Sequence, residues 1–222
     1  MLSPNHEYPD HEYPDHDCPL CPRLVKFRNA LRQKYPDWHN GPVQTFKSET
    51  PVKLLIVGLA PGLHGANRTG RPFTGDWAGD LLYETMLDFG FASGTYLEDP
   101  NDGLKLVDCA ISNAVHCVPP QNKPTPAEIT TCRRFLETKI AAFKDIKVIL
   151  SLGRIAHEST VRALGGKLSD VPFSHGGEHK ISGLTLVNSY HCSRYNTNTG
   201  RLTRDMFRDV FGRVKEIIGK RV

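Results

Sequence analysis

The stretch Val52-Lys53-Leu54-Leu55-Ile56-Val57-Gly58-Leu59-Ala60-Pro61-Gly62 opens a glycine-rich segment that runs to Asp76, and its reading decides the fold. An apolar run followed at once by glycines is the pattern of a buried strand that ends in a loop, and open α/β sheets place their ligands at such carboxyl ends. Glycines at 58, 62, 65, 70 and 75 let the backbone come close to a bound group, while Asn67, Arg68, Thr69, Arg71 and Asp76 offer polar contacts. The spacing is neither the GxxxxGK[ST] of a phosphate-binding loop nor the GxGxxG of a dinucleotide fold, so a generic nucleotide site is not indicated.

Outward from this stretch the chain alternates. Asp76 stands at an N-cap position before an apolar stripe (Leu81, Leu82, Met86, Phe89) that predicts a helix over 77–89. A second strand lies within 104–115 and brings Asn113 to the same edge as the glycine-rich loop. Thr125, Pro126 and Glu128 mark the start of another helix. Strands at 147–152 and 184–189 follow, the first leading into a helix to about residue 164, and a basic amphipathic helix from about Thr203 closes the chain. The expected fold is a three-layer α/β/α arrangement around a central four-stranded parallel sheet.

At 222 residues the chain suits one domain with a full core, expected over 18–222. No apolar run approaches a membrane span and no signal-peptide core is seen, which predicts a soluble, intracellular protein, cytoplasmic and associated with the nucleoid. Residues 1–17 contain the tandem pentapeptide HEYPD at 6–10 and 11–15 and read as a disordered tail. That tail holds five of the 24 acidic residues and no Lys or Arg, leaving 19 acids against 28 bases in the remainder. The body is thus distinctly basic, as nucleic-acid-binding domains commonly are.

Two constellations carry chemistry. Cys18 and Cys21 form a CxxC at a helix start, and Cys117 and Cys132 lie further on; four thiolates so grouped suit tetrahedral zinc or an iron–sulfur cluster, and spacing does not choose between them. The second gathers Asp76, Asn113, Asn122 and His191 from loop ends at one sheet edge, a set suited to hydrolysing a bond whose leaving group gains negative charge.

GLAPG-x2-G-x-NRTGR-x-FTGD, the CxxC with a later C-VPPQNKPTP-AE-x3-C, LGR after the third strand and YH-x-SR-x-NTNTGRLT together resemble the uracil-DNA glycosylase superfamily, in particular its iron–sulfur type b group, family 5. The resemblance spans nearly everything from Cys18 to the last helix. It implies a [4Fe-4S] cluster on Cys18, Cys21, Cys117 and Cys132, and a base pocket of Gly58, Ala60, Gly62, Phe73 and Asn113, with Phe73 stacking on a flipped base. Leu59 occupies the place where better-known relatives carry a polar side chain, and the resemblance gives Asp76 the task of activating water. His191 matches the histidine that stabilises charge on uracil O2, and Asn122 an amide of the type b site. Cys192 replaces the usual proline of the last motif.

The implied partner is double- or single-stranded DNA, held by Arg68, Arg71, Ser193, Arg194, Asn196 and Arg201, with the 193–198 loop entering the base stack. The implied activity is that of a monomeric, monofunctional glycosylase removing uracil, with hypoxanthine and ethenocytosine as further substrates. The alternative is an iron–sulfur or zinc DNA-binding protein without catalysis.

Overall fold

Three five-residue, largely apolar runs form strands in which every residue is buried: β2 (Leu54–Gly58), β5 (Cys109–Asn113) and β6 (Val148–Leu152). In the computed structural model, which describes residues 13–219, these pair in parallel with each other and with β8 (Leu184–Ser189), in the order β5-β2-β6-β8. This is the expected parallel block.

The strand count departs from expectation. Among the described residues the sheet has six strands, because β1 (Phe46–Lys47) pairs antiparallel outside β5 and β7 (Glu178–Ile181) antiparallel outside β8. A separate two-stranded ribbon joins β3 (Ala92–Ser93) to β4 (Lys105–Leu106). Both sheet edges are short or polar, so neither carries the apolar run by which the central strands are recognised.

Alternating side chains build two cores. Leu54 and Ile56 face α3 (Trp77–Asp88) and α7 (Arg204–Ile218), packing with Leu82, Met86, Phe207 and Phe211. Leu55 and Val57 face α4 (Pro126–Ala142) and α5 (Arg154–Ala163), packing with Leu136, Ala156 and Val161. The three-layer arrangement therefore stands. Helix α1 (Pro22–Lys34) lies against α4, where Leu24 packs with Cys132 and Phe135. Arg23 reinforces this contact with two 2.7 Å bonds to Glu128, which itself closes the capping box of Thr125.

Residues 1–12 of the expected tail lie outside the described residues. The remainder, 13–17, packs on the body: Pro14 is buried, Arg32 donates to Asp17 Oδ1 at 2.6 Å, and Lys139 Nζ lies 5.0 Å from the Tyr13 ring centre.

The register positions the site. Gly58 sits opposite Asn113 and Leu152 opposite Ser189, so the parallel strands end together. The chain leaves β2 for β5 on one side and later crosses to β6 on the other. The carboxyl end of β2 is thus a topological switch point, where such sheets leave a crevice.

Candidate active site

A cavity of about 610 Å³ opens at that point, lined by the loop after β2, Asn113 after β5, Gly153 to Ala156 after β6, and residues between Tyr190 and Arg201 after β8. Its floor is fixed by sterics. A Cβ on Gly58 would stand 2.5 Å from Asn113 Oδ1 and 2.6 Å from Phe73 Cζ, so only glycine lets these two side chains close over the strand end. Phe73 has φ +53°, a left-handed conformation rare for an aromatic residue. Its surroundings hold it there: Tyr96 Oη donates to its carbonyl at 3.2 Å, and Tyr83 Oη to that of Pro72 at 2.6 Å. The ring is 7% exposed and lies near-parallel to the His191 imidazole, centroids 5.8 Å apart. Asn113 is buried, and its side chain has no hydrogen-bond partner among the described residues, leaving the amide to the cavity it lines.

Asp76 caps α3, accepting from Ala78 N at 3.1 Å through Oδ1. Its Oδ2 is 2.8 Å from where a Cβ on Gly62 would be and 2.4 Å from one on Gly65, so the loop folds closely over the carboxylate. Burial raises the Asp76 pKa, against the opposing bonds from the Gly79 and Ala78 amides. The capping and cavity-lining positions are therefore one and the same.

His191 leaves the end of β8 beside Gly153, whose φ of +95° and open Cα side admit the His191 Cβ at 3.4 Å from a would-be Cβ. Burial pulls its pKa down to about 4, which keeps the ring neutral at ordinary pH. Nδ1 is shut off from solvent with no partner among the described residues. The next residue, Cys192, is fully buried, and its thiol donates to Ala78 O at 3.4 Å, tying this loop to the start of α3. Such a thiol is unsuited to act as a nucleophile.

The remaining expected residues divide. Asn122, at φ +56°, reaches the cavity wall together with Ala60 and Gly62. Ser193 caps the short helix α6 (Arg194–Asn198), and Asn196 Nδ2 donates to His191 O at 2.8 Å. Arg194 lies over the Trp77 ring at 4.9 Å and Arg201 over Tyr190 at 4.6 Å, both exposed on the cavity rim. Arg68, at the last turn of helix α2 (Ala66–Thr69), is exposed and bonds His64 O at 2.8 Å.

Arg71 is a correction. It is 5% exposed, makes two 2.8 Å bonds to Asp102, and lies among the rings of Phe46, Tyr83 and Tyr96. A guanidinium so enclosed does not reach a phosphate; it braces the loop from within. Asn67 likewise turns inward, donating to Asn40 Oδ1 at 3.0 Å.

The lining also includes side chains that were not among the expected site residues, notably Trp77, Arg154, Phe173 and Tyr190. Trp77 is 45% exposed and donates to Thr197 Oγ1 at 3.0 Å, while Arg154 lies over Phe173 at 5.4 Å. Arg154 follows Gly153 at a strand end, the same signal that marks Gly58. Phe173 sits in an aperiodic stretch and gives no signal.

Away from the cavity, Cys18, Cys21, Cys117 and Cys132 line one small internal space between α1, α4 and the loop after β5. Burial pushes the Cys21 thiol up to about 11 and that of Cys117 up to about 12. Among the described residues no three His, Cys, Asp or Glu side chains are grouped as ligands of a single metal ion.

Fold and site define a class: an α/β/α protein with a cavity at the carboxyl edge of its parallel strands, where an aromatic face, an amide, a carboxylate and a neutral imidazole meet. Residues 46–215 match the Uracil DNA glycosylase superfamily, and the chain belongs to that family. It is 42% identical over 210 residues to a type-5 uracil-DNA glycosylase of Thermus thermophilus, covering 91% of this chain and 94% of that protein. Identity to a type-5 uracil-DNA glycosylase of Pyrobaculum aerophilum is 33% over 215 residues, 95% of this chain and 93% of the relative. A type-4 uracil-DNA glycosylase of Sulfurisphaera tokodaii is 27% identical over 166 residues, 72% and 69% of the two chains.

Proposed function

We propose that this protein is a monofunctional uracil-DNA glycosylase, which hydrolyses the bond between uracil and deoxyribose and leaves an abasic site. The observation that carries this reading is the meeting of Asp76 and His191 in one cavity faced by Phe73. Extruding an unpaired or mismatched nucleotide is less costly than extruding a paired one, and the rim cations Arg194 and Arg201 suit the flanking phosphates. Inside, Phe73 offers a stacking face and Asn113 an unpaired amide for the base edge.

As the C1′–N1 bond breaks, its electron pair passes to uracil and the sugar gains oxocarbenium character. A neutral His191 donates a hydrogen bond to the carbonyl oxygen that takes up this charge. Water oriented by the Asp76 carboxylate attacks C1′ and gives up a proton to it. The proton then passes to the uracil anion or to solvent, so uracil and an abasic sugar are the products. A carboxylate whose proton affinity is raised by burial is the better base for this task.

Among the described residues no lysine lines the cavity, which supports hydrolysis without strand cleavage. A volume of about 610 Å³ also admits bicyclic bases, so the proposal extends to hypoxanthine and ethenocytosine. No helix among the described residues is long and apolar enough to cross a membrane. The proposal includes a monomeric enzyme acting on DNA in the cytoplasm, a reading that the basic body of the chain supports as far as the DNA partner goes.

The four thiols fit a [4Fe-4S] cluster, since four cysteine sulfurs are its usual donor set and here they surround one enclosed space. Bound there, it would supply a redox-active staple between α1 and α4. Cavity and cysteine space are separate, and no step of the hydrolysis involves the cluster. The test is an alkaline-cleavage assay on single- and double-stranded oligonucleotides carrying uracil, with wild type and His191→Ala. Alkali-labile sites made by the wild type and strongly reduced in the variant are expected. A wild type that leaves none, or a covalent adduct trapped by borohydride, overturns the activity or its monofunctional character respectively.

A further inference from the structure

The cysteine space contains a charge that the thiols alone do not explain. Arg28, in the second turn of α1, is 3% exposed. Its Nη2 donates to Cys18 O at 3.1 Å and its Nη1 approaches Cys117 Sγ at 3.9 Å, while Nε is buried without a partner. Among the described residues no carboxylate forms an ion pair with it: neighbouring Asp17 belongs to Arg32, at 2.6 Å. Among the described residues Arg28 is also the one Arg or Lys on the lining of that space.

A buried guanidinium without a counter-ion is strongly unfavourable, so an anion is called for where Arg28 points. Four thiolates around a [4Fe-4S] core carry a net negative charge, and cluster potentials respond to net charge and to hydrogen bonds on the sulfurs. We infer that Arg28 is the charge partner of this cluster, holding it in the fold and raising its reduction potential. This inference rests on the proposed cluster. Hydrogen bonding alone is the lesser role: one bond to the Cys18 carbonyl needs a donor but no charge. The physical direction is fixed, because reduction adds negative charge beside Arg28 and a cation favours the reduced form.

The experiment takes the full chain, purified without oxygen, and reads iron and sulfide content, iron loss to a chelator, and midpoint potential by voltammetry. Arg28→Gln keeps a donor for the carbonyl and removes the charge; Arg28→Lys keeps the charge. The glutamine variant should release iron about tenfold faster and shift its reduction equilibrium about tenfold toward the oxidised form, a fall of about 59 mV for one electron. The lysine variant should stay near wild type. A glutamine variant equal to wild type in both readouts overturns the role of Arg28 while leaving the cluster in place. Wild type without iron and sulfide instead removes the cluster itself. Should Arg28→Gln not fold, Arg28→Lys decides alone: retained iron and a potential near wild type support the inference, and a potential lowered by about 59 mV although the charge is kept overturns it.

Discussion

The two walls of the cavity are built by opposite means. Residues 58–76 form a wall whose functional side chains are held from behind: Phe73 is clamped in a left-handed backbone, Asp76 lies under Gly62 and Gly65, and Arg71 is locked to Asp102. Residues 190–201 carry His191 inside but turn their cations outward, with Tyr195 72% exposed on α6. The first wall is set before any ligand arrives, as differential stabilisation of a developing charge requires. The second presents charges resting on aromatic rings, which can shift toward a phosphate without disturbing the core.

Substitutions can break this contrast, and the rigid wall should give the largest effects. Asp76→Asn keeps a good helix cap and removes the base, so single-turnover hydrolysis of uracil-containing DNA should fall by about 10²–10⁴-fold. Because burial raises the Asp76 pKa, its ionised form costs stability above the folded-state pKa, and the variant's melting temperature at neutral pH should be equal or higher. A fall in melting temperature with an unchanged rate would reduce Asp76 to a cap.

Arg71→Leu leaves Asp102 buried and unpaired, and chemical denaturation should show a loss of about 3–5 kcal/mol. The salt dependence of DNA binding by the folded variant should match wild type; a shallower slope would restore Arg71 as a phosphate contact.

His191 supplies a pH signature. Its folded pKa of about 4 lies below the ordinary 6.5, so the unfolded chain binds the proton first and stability should drop as pH falls from about 6.5 toward 4. Melting curves of wild type and His191→Asn should converge in that window, with the variant losing less. The smallest effect belongs to the adaptable wall: Arg201→Ala should weaken DNA binding a few-fold and lower the salt slope by about 1, measured by fluorescence anisotropy.

Much of this was legible in the chain itself, because the parallel strands are largely apolar runs and the glycine-rich loop follows one of them. The edges were not. β1 is two residues long, and Glu-His-Lys-Ile in β7 lies in a stretch, 165–183, whose glycines indicate a hairpin region but whose polar residues do not mark a strand of the main sheet. Arg71 misled for a similar reason: its partner Asp102 lies 31 residues away, and sequence cannot tell an inward cation from an outward one. Cap and active-site residue look like competing roles for Asp76, yet one carboxylate oxygen takes the amide while the other faces the folded loop.

Those edge strands also bear on how the protein behaves in a crowd. A parallel block ending in open β5 and β8 would offer two long rows of amides and carbonyls to any passing chain. The outer positions are instead taken by a two-residue strand and by one studded with charge, where Glu178 is engaged by Arg213. Neither makes a good template for strand addition. Many copies concentrated along one polymer should therefore stay separate molecules, resisting aggregation at densities where a bare sheet would stick.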